Sequence, residues 1–242
     1  MRRVLLVTAL LTLMVTACAS ASPTERPSII IERPDPTPVP DDLTPEPGAG
    51  PAEEAVIKQL AANLGLQESD ISVLSSEEVE FGDACLDVVL EDVGCAQVST
   101  PGRILVLDAK GVQYEYHTNE DGSRVQPATL ALIWKREGGI AGFCDTLTVF
   151  RSGEVYASQC RPQAEGKMGT FADLLSSQEK KQFNTWISRF AEADLDASDP
   201  KGVSDRMVVT LKFFGTGSKS PTKSEQQTLF QFAQDLYQEL TQ

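Results

Sequence analysis

Cysteines are the residues of this chain best suited to covalent or metal chemistry. They stand at positions 18, 85, 95, 144 and 160 of the 242-residue sequence. Zinc sites usually combine closely spaced Cys-x-x-Cys pairs with histidines. No such pair occurs here, and the only histidine, His117, lies between Cys95 and Cys144 and is adjacent to neither. The spacing therefore favours covalent pairing over metal binding, and we expect no metal and no other cofactor.

Cys18 follows a segment typical of a secretory signal peptide. Two arginines precede an apolar run at 4–15, and the small residue Ala17 comes directly before the cysteine. This arrangement resembles the lipobox of bacterial lipoproteins. The resemblance implies cleavage of the leader 1–17 and acyl chains such as palmitate on Cys18. Two or more acyl chains anchor a protein stably, which predicts an extracytoplasmic membrane face of the bacterial envelope, inner or outer. The alternative is an ordinary signal peptide that contains a cysteine.

The other four cysteines form two close pairs that are far from each other in sequence. An extracytoplasmic compartment is oxidising, and an even number of cysteines there indicates disulfides. We therefore predict the disulfides Cys85–Cys95 and Cys144–Cys160.

Two further features could do chemistry, but each has a simpler interpretation. His117 lies on the polar face of a predicted strand, with no serine nucleophile motif and no second histidine, so we expect a surface or hydrogen-bonded side chain. The acidic run 194–199, with Asp205 at the twelfth position, resembles a calcium loop only partly, because Asp199 stands where the turn glycine belongs. We expect it to be a solvated acidic loop.

The composition sets limits on partners and size. A formal net charge of −14 argues against nucleic-acid binding. A hydrophobic content of 41% is enough for one or two cores once the leader and linker are subtracted. The segment 18–50 is rich in Pro, Thr, Asp and Glu and is expected to be a disordered tether, reaching at most roughly 100 Å.

The first predicted module, 51–126, combines one helix with a small antiparallel sheet. Pro51 begins the helix and Gly65 ends it. A strand at 71–81 and a hairpin at 103–118 with a turn at 109–111 follow. The Tyr-Glu-Tyr-His-Thr strand at 114–118, running into Asp-Gly, is similar to the PepSY-type modules of exported bacterial proteins. That resemblance implies an α-β-β-β fold.

The second predicted module, 127–242, is also α+β. Strands are expected at 129–135, 143–150, 154–160 and 206–214, with a hairpin turn at 151–153 that places Cys144 opposite Cys160. Capping boxes predict two helices, one after Ser176 and one after Thr222. Both helices must cover the same sheet to bury their apolar faces.

A glycine-rich run joins the first two strands of this module. The run reads Glu-Gly-Gly-Ile-Ala-Gly at 137–142, and a Leu-Ser-Ser-Gln-Glu helix start and Asp205 before a strand follow it. This order resembles the emfourin-type inhibitors of protealysin-like metallopeptidases, which implies binding to a zinc peptidase of the thermolysin class. The candidate partner-binding residues are Gly138, Gly139, Ile140, Ala141 and Gly142, here called the corner loop. The alternatives are a tight structural corner or a phosphate cradle, but no Lys-Ser/Thr follows to bind phosphate.

The sequence therefore predicts a lipid-anchored, non-enzymatic envelope protein that binds another protein, with an exported metallopeptidase as the candidate partner. An enzyme is disfavoured because the sequence contains no recognisable nucleophile and base, and no set of metal ligands. The alternative function is that of a structural or accessory envelope lipoprotein without inhibitory activity.

Overall fold

The computed structural model describes residues 50–88, 90, 93–160 and 170–241. The predicted leader, the lipidation site Cys18 and nearly all of the proline-rich segment lie outside these residues. The described residues form two antiparallel sheets and three α-helices, so the α+β fold class is confirmed. Both sheets belong to one compact unit. Among the described helices, none is long and apolar enough to span a bilayer.

The first sheet has four strands in the order β1-β2-β3-β4. Helix α1 (Pro51–Leu64) precedes the strands, which are β1 (Ile71–Phe81), β2 (Thr100–Ala109), β3 (Val112–Asn119) and β4 (Val125–Pro127). The strand β4 is not among the predicted elements, because three residues that include a proline carry no readable alternation.

Helix α1 begins and ends where the sequence predicts. Pro51 occupies the first helical turn, and Gly65 ends the helix in the left-handed conformation at a φ of 66°. The side chains of Val56 and Leu60 are fully buried against the sheet. The helix therefore covers one face of β1, β2 and β3, as expected for a stripe of apolar residues at helical spacing.

The turn between β2 and β3 is shorter than predicted. Ala109 pairs with Val112, which leaves a two-residue turn rather than the predicted three. Lys110 and Gly111 both have positive φ angles, 54° and 83°. Turns of this kind match the twist of the flanking strands, which explains why the hairpin closes so tightly.

The second sheet has six strands in the order β8-β7-β6-β5-β10-β9. They are β5 (Leu130–Gly138), β6 (Phe143–Phe150), β7 (Glu154–Gln159), β8 (Thr170–Leu174), β9 (Ala193–Asp196) and β10 (Met207–Phe213), with helices α2 (Ser177–Arg189) and α3 (Lys223–Thr241). The capping boxes at Ser176 and Thr222 are both formed. Both helices pack on the same sheet, as predicted.

The main hydrophobic core lies between this sheet and its two helices. Four residues on one face of the hairpin β6–β7 are fully buried in it: Leu147, Val149, Val155 and Ala157. The helices contribute aromatic side chains, and the ring of Phe183 stacks on that of Phe232. The positions of the apolar residues, at every second place along β6 and β7, therefore determine which face of the sheet the helices cover.

One expectation for this sheet was wrong. The acidic run 194–199 is not a loop in its first half, because Asp194 and Asp196 belong to β9 and pair with β10 at the edge of the sheet. Their side chains are exposed on either side of the buried Leu195. The sequence pattern does not predict this strand, because it is only four residues long and largely acidic. It is held in the sheet by pairing with β10.

Candidate functional site

The corner loop closes the hairpin between β5 and β6. Gly138 pairs with Phe143, which leaves residues 139–142 as the connection. All three of its glycines, Gly138, Gly139 and Gly142, have positive φ angles, of 80°, 69° and 61°. A Cβ atom at Gly138 would lie 2.6 Å from the carbonyl oxygen of Arg206, so only glycine fits there.

Backbone hydrogen bonds hold the corner loop in place. The amide of Gly142 donates to the carbonyl of Gly139 at 2.9 Å, and the amide of Gly139 donates to the carbonyl of Arg206 at 3.1 Å. The second bond links the corner loop to residues 197–206, which connect β9 and β10. Both connections thus lie at one end of the six-stranded sheet.

This end of the sheet presents two exposed apolar side chains. Ile140, at the tip of the corner loop, is 92% exposed, and Val203, in the neighbouring connection, is 49% exposed. A single exposed aliphatic residue is common on protein surfaces. Ile140 is nevertheless almost fully exposed on a constrained loop, so a binding partner could bury most of its apolar surface.

A buried ionic cluster lies below the corner loop. Arg136 donates two hydrogen bonds to Oδ2 of Asp145, at 2.8 and 2.5 Å. The hydroxyl of Tyr237 donates to Oδ1 of the same carboxylate at 2.7 Å. The guanidinium also lies 4.0 Å from the ring centre of Phe143. This cluster ties the base of the loop to helix α3.

The predicted disulfide Cys144–Cys160 is present at the same end. It joins β6 to the residue following β7, with a Cα–Cα distance of 5.7 Å. Cys144 directly follows Phe143, the residue that closes the corner loop. The disulfide therefore limits how far the two strands can separate beneath the loop.

The other predicted disulfide, Cys85–Cys95, closes the segment after β1 and also has a Cα–Cα distance of 5.7 Å. Within this segment Leu86 and Asp87 have positive φ angles of 60° and 55°. Among the described residues, one group of side chains is close enough to share a metal, Asp83 with the two cysteines. Because both sulfurs are in the disulfide, the group offers no thiolate for a metal.

His117 contacts this disulfide segment. The histidine is only 9% exposed, and its ring stacks on Phe81. Its Nδ1 lies 2.7 Å from the carbonyl oxygen of Leu86, and its Nε2 lies 3.3 Å from Glu115. The expectation of a hydrogen-bonded side chain is confirmed. His117 is nevertheless not on an exposed face of β3 as expected, because Leu86 of the disulfide segment contacts its ring.

A second polar cluster, which sequence reading missed, lies between the two sheets. The carboxylate of Glu154, 6% exposed, accepts hydrogen bonds from Asn63 at 2.5 Å and from the hydroxyl of Tyr116 at 2.8 Å. Ser152 donates to its other oxygen. Lys180 donates to the backbone carbonyl of Asn63. Glu154 opens a strand as an ordinary charged residue, so no local pattern marks it.

Burial and charge perturb the titrating groups around Glu154. The pKa of Tyr116 is raised well above its usual value, first by burial and then by the nearby carboxylate. The same two causes raise the pKa of Tyr156 to about 12. Burial lowers the pKa of Lys180, and the charge of Glu154 opposes that shift. The cluster links the sheets and keeps both phenols protonated.

Comparison with known proteins adds one match. Residues 53–127 match a family model described as a domain of unknown function (DUF8738). The matched region begins in α1 and ends with β4, so it coincides with the four-stranded sheet and its helix. No curated protein and no solved structure matches the chain.

Proposed function

We propose that this protein is a lipid-anchored, extracytoplasmic envelope protein that binds a protein partner through the corner loop. The observation that carries the proposal is Ile140, 92% exposed at the tip of a loop whose backbone is held by hydrogen bonds. The proposed partner, on the resemblance to emfourin-type inhibitors, is a zinc peptidase of the thermolysin class. The proposed anchor is the acylated Cys18.

A constrained loop suits binding in a cleft. Because the conformation of the corner loop is already fixed, little conformational entropy remains to be lost on binding. Burying the side chain of Ile140 in an apolar pocket would contribute about 1.5–3 kcal/mol. The three glycines leave the neighbouring backbone open to close approach by a partner.

The test is inhibition of a purified thermolysin-class peptidase by the full chain. A fragment starting at residue 128 would lack Asn63 and Tyr116 and leave Glu154 without its partners, so the full chain is required. We expect sub-micromolar inhibition. The variant Ile140→Asp should weaken it by about a hundredfold, because a carboxylate replaces an apolar contact.

The matched control is Leu74→Asp, which makes the same change at an isoleucine-sized residue that is 51% exposed in β1 of the other sheet. This variant should inhibit like the unmodified chain, and both variants should keep its melting temperature. If Ile140→Asp inhibits the peptidase as strongly as the unmodified chain does, the corner loop is not the binding surface. No inhibition of several such peptidases by the folded chain would reject the peptidase partner and leave an accessory envelope lipoprotein.

A further inference from the structure

An open cleft of about 320 Å³ lies between the two sheets, away from the corner loop. One wall is the β2–β3 hairpin of the first sheet, with Val112 and Tyr114. The other wall comes from the β6–β7 turn, which carries Arg151, and from the last turns of helix α2, with Asn184 and Ile187. The cleft thus exists only because the two sheets are joined.

Arg151 brings a positive charge to this cleft. In the described part of the chain, no carboxylate oxygen lies within 4.0 Å of its guanidinium. Its Nε is shielded from solvent and has no hydrogen-bond partner among those residues. Its backbone is fixed, because the amide donates to the carbonyl of Thr129 at 2.9 Å.

The protein has a net charge of −14, yet among the described residues no carboxylate forms an ion pair with the partly shielded Arg151. Buried charges are normally paired, and an unpaired buried donor has an energetic cost. Burial raises the pKa of Tyr114, Arg151 lowers it and Asp108 raises it, so this wall of the cleft lies within reach of the charge of Arg151 and also of one carboxylate. An anion in the cleft would supply the missing partner.

The other lining groups restrict the kind of anion. Val112, which is 39% exposed, and Ile187, which is only 6% exposed, border the cleft with apolar side chains. The C-terminal end of helix α2 also lies here and carries partial negative charge, which disfavours a doubly charged ligand. The carbonyl of Ile187 already accepts the amide of Thr216 at 2.8 Å, so it does not compete for the arginine.

We propose that this cleft binds a small monocarboxylate with an apolar body, the carboxylate pairing with Arg151 and the hydrocarbon part contacting Val112 and Ile187. A guanidinium binds a carboxylate with favourable fork geometry. The side-chain amide of Asn184 provides a further donor at the rim. This site is independent of the corner loop and of any peptidase.

The test is calorimetric titration of the full chain with hexanoate and, separately, with the uncharged isostere hexanamide. We expect hexanoate to bind with a dissociation constant in the millimolar range, about what a ligand of this size allows. Hexanamide should bind at least about tenfold more weakly, because it lacks the charge. Acetate should also bind more weakly, because it lacks the apolar body. Inorganic phosphate should bind more weakly than hexanoate.

Two variants locate the site. Arg151→Gln should lose the preference for hexanoate over hexanamide, whereas Arg103→Gln, the same change on the first sheet, should keep it. The ligand comparison on the unmodified chain needs no variant, so it remains decisive if Arg151→Gln fails to fold. The proposal is overturned if hexanoate and hexanamide bind equally well, or if hexanoate shows no saturable binding. It is also overturned if a folded Arg151→Gln chain keeps the full preference for hexanoate over hexanamide.

Discussion

The hydroxyl of Tyr116 in the first sheet donates a hydrogen bond to the carboxylate of Glu154 in the second sheet, at 2.8 Å. Both side chains are buried. Asn63, at the end of helix α1, donates to the same oxygen. A buried carboxylate needs such partners, because leaving it unsatisfied costs more than its hydrogen bonds contribute in net stability. The contact therefore makes each sheet depend on the other.

The variant Tyr116→Phe should reduce the free energy of unfolding by about 1–3 kcal/mol, because it removes a donor to a buried carboxylate. Urea denaturation followed by tryptophan fluorescence and by circular dichroism measures this. Tyr114→Phe is the matched control, since its hydroxyl has no hydrogen bond to the described residues, and it should change stability by less than about 0.5 kcal/mol. Equal effects of the two variants would contradict the assigned role of Tyr116.

Stability should fall at alkaline pH. The pKa values of Tyr116 and Tyr156 are raised in the folded protein, so both phenols bind their protons more tightly there than in the unfolded chain. Their contribution is complete below about pH 10 and is lost as pH rises through the folded pKa, about 12 for Tyr156. In the variant Tyr156→Phe, the free energy of unfolding should fall by about 1–2 kcal/mol less at alkaline pH than in the unmodified chain. This figure allows for the partial exposure of the Tyr156 side chain.

Urea denaturation at pH 8 and pH 11 tests this expectation. The unmodified chain should lose more stability between the two values than Tyr156→Phe does. If the variant and the unmodified chain lose the same amount, Tyr156 does not contribute to alkaline unfolding.

Asp145→Ala should destabilise the protein by about 3–5 kcal/mol, because it leaves the largely buried Arg136 without its carboxylate. It also removes the acceptor of Tyr237, which ties helix α3 to the sheet. The melting temperature measures the loss. Asp194→Ala, at an exposed position in β9, is the control and should have little effect. A similar melting temperature for both variants would show that the cluster below the corner loop is dispensable.

The two disulfides should contribute unequally. Replacing Cys144 and Cys160 by serine opens a link of 16 residues, and replacing Cys85 and Cys95 opens one of 10 residues. The entropy model gives about 3 kcal/mol for the longer link and less for the shorter. Melting temperatures of the two double variants test the order. A larger loss from Cys85 and Cys95 would mean that ordering of the segment over His117 outweighs chain entropy.

The proposed anchor has a direct chemical test. Mass spectrometry of the membrane-extracted protein should find an N-terminal peptide that begins at Cys18 and carries acyl chains. The variant Cys18→Ser should lack the acyl mass and leave the membrane fraction. An unmodified Cys18 in a mature chain would instead support the ordinary signal peptide.

Local sequence determined most of the secondary structure. Pro51 and Gly65 bound a helix because one fits the first turn and the other tolerates the left-handed conformation. Ser176 and Thr222 open helices because their side chains cap free amides. The disulfide Cys144–Cys160 was predictable because a short hairpin turn fixes which residues of two adjacent strands stand opposite each other.

Contacts between distant segments decided the rest. Asp194 and Asp196 became strand residues only because β10 pairs with them, and His117 was buried only because the segment around Leu86 covers it. Glu154 and Arg151 look like ordinary surface charges in the sequence. One is buried and paired and the other lines a cleft, because side chains from the opposite sheet surround them. Hydrophobic periodicity records which face of an element is buried, but it carries no information about which other element will meet that face.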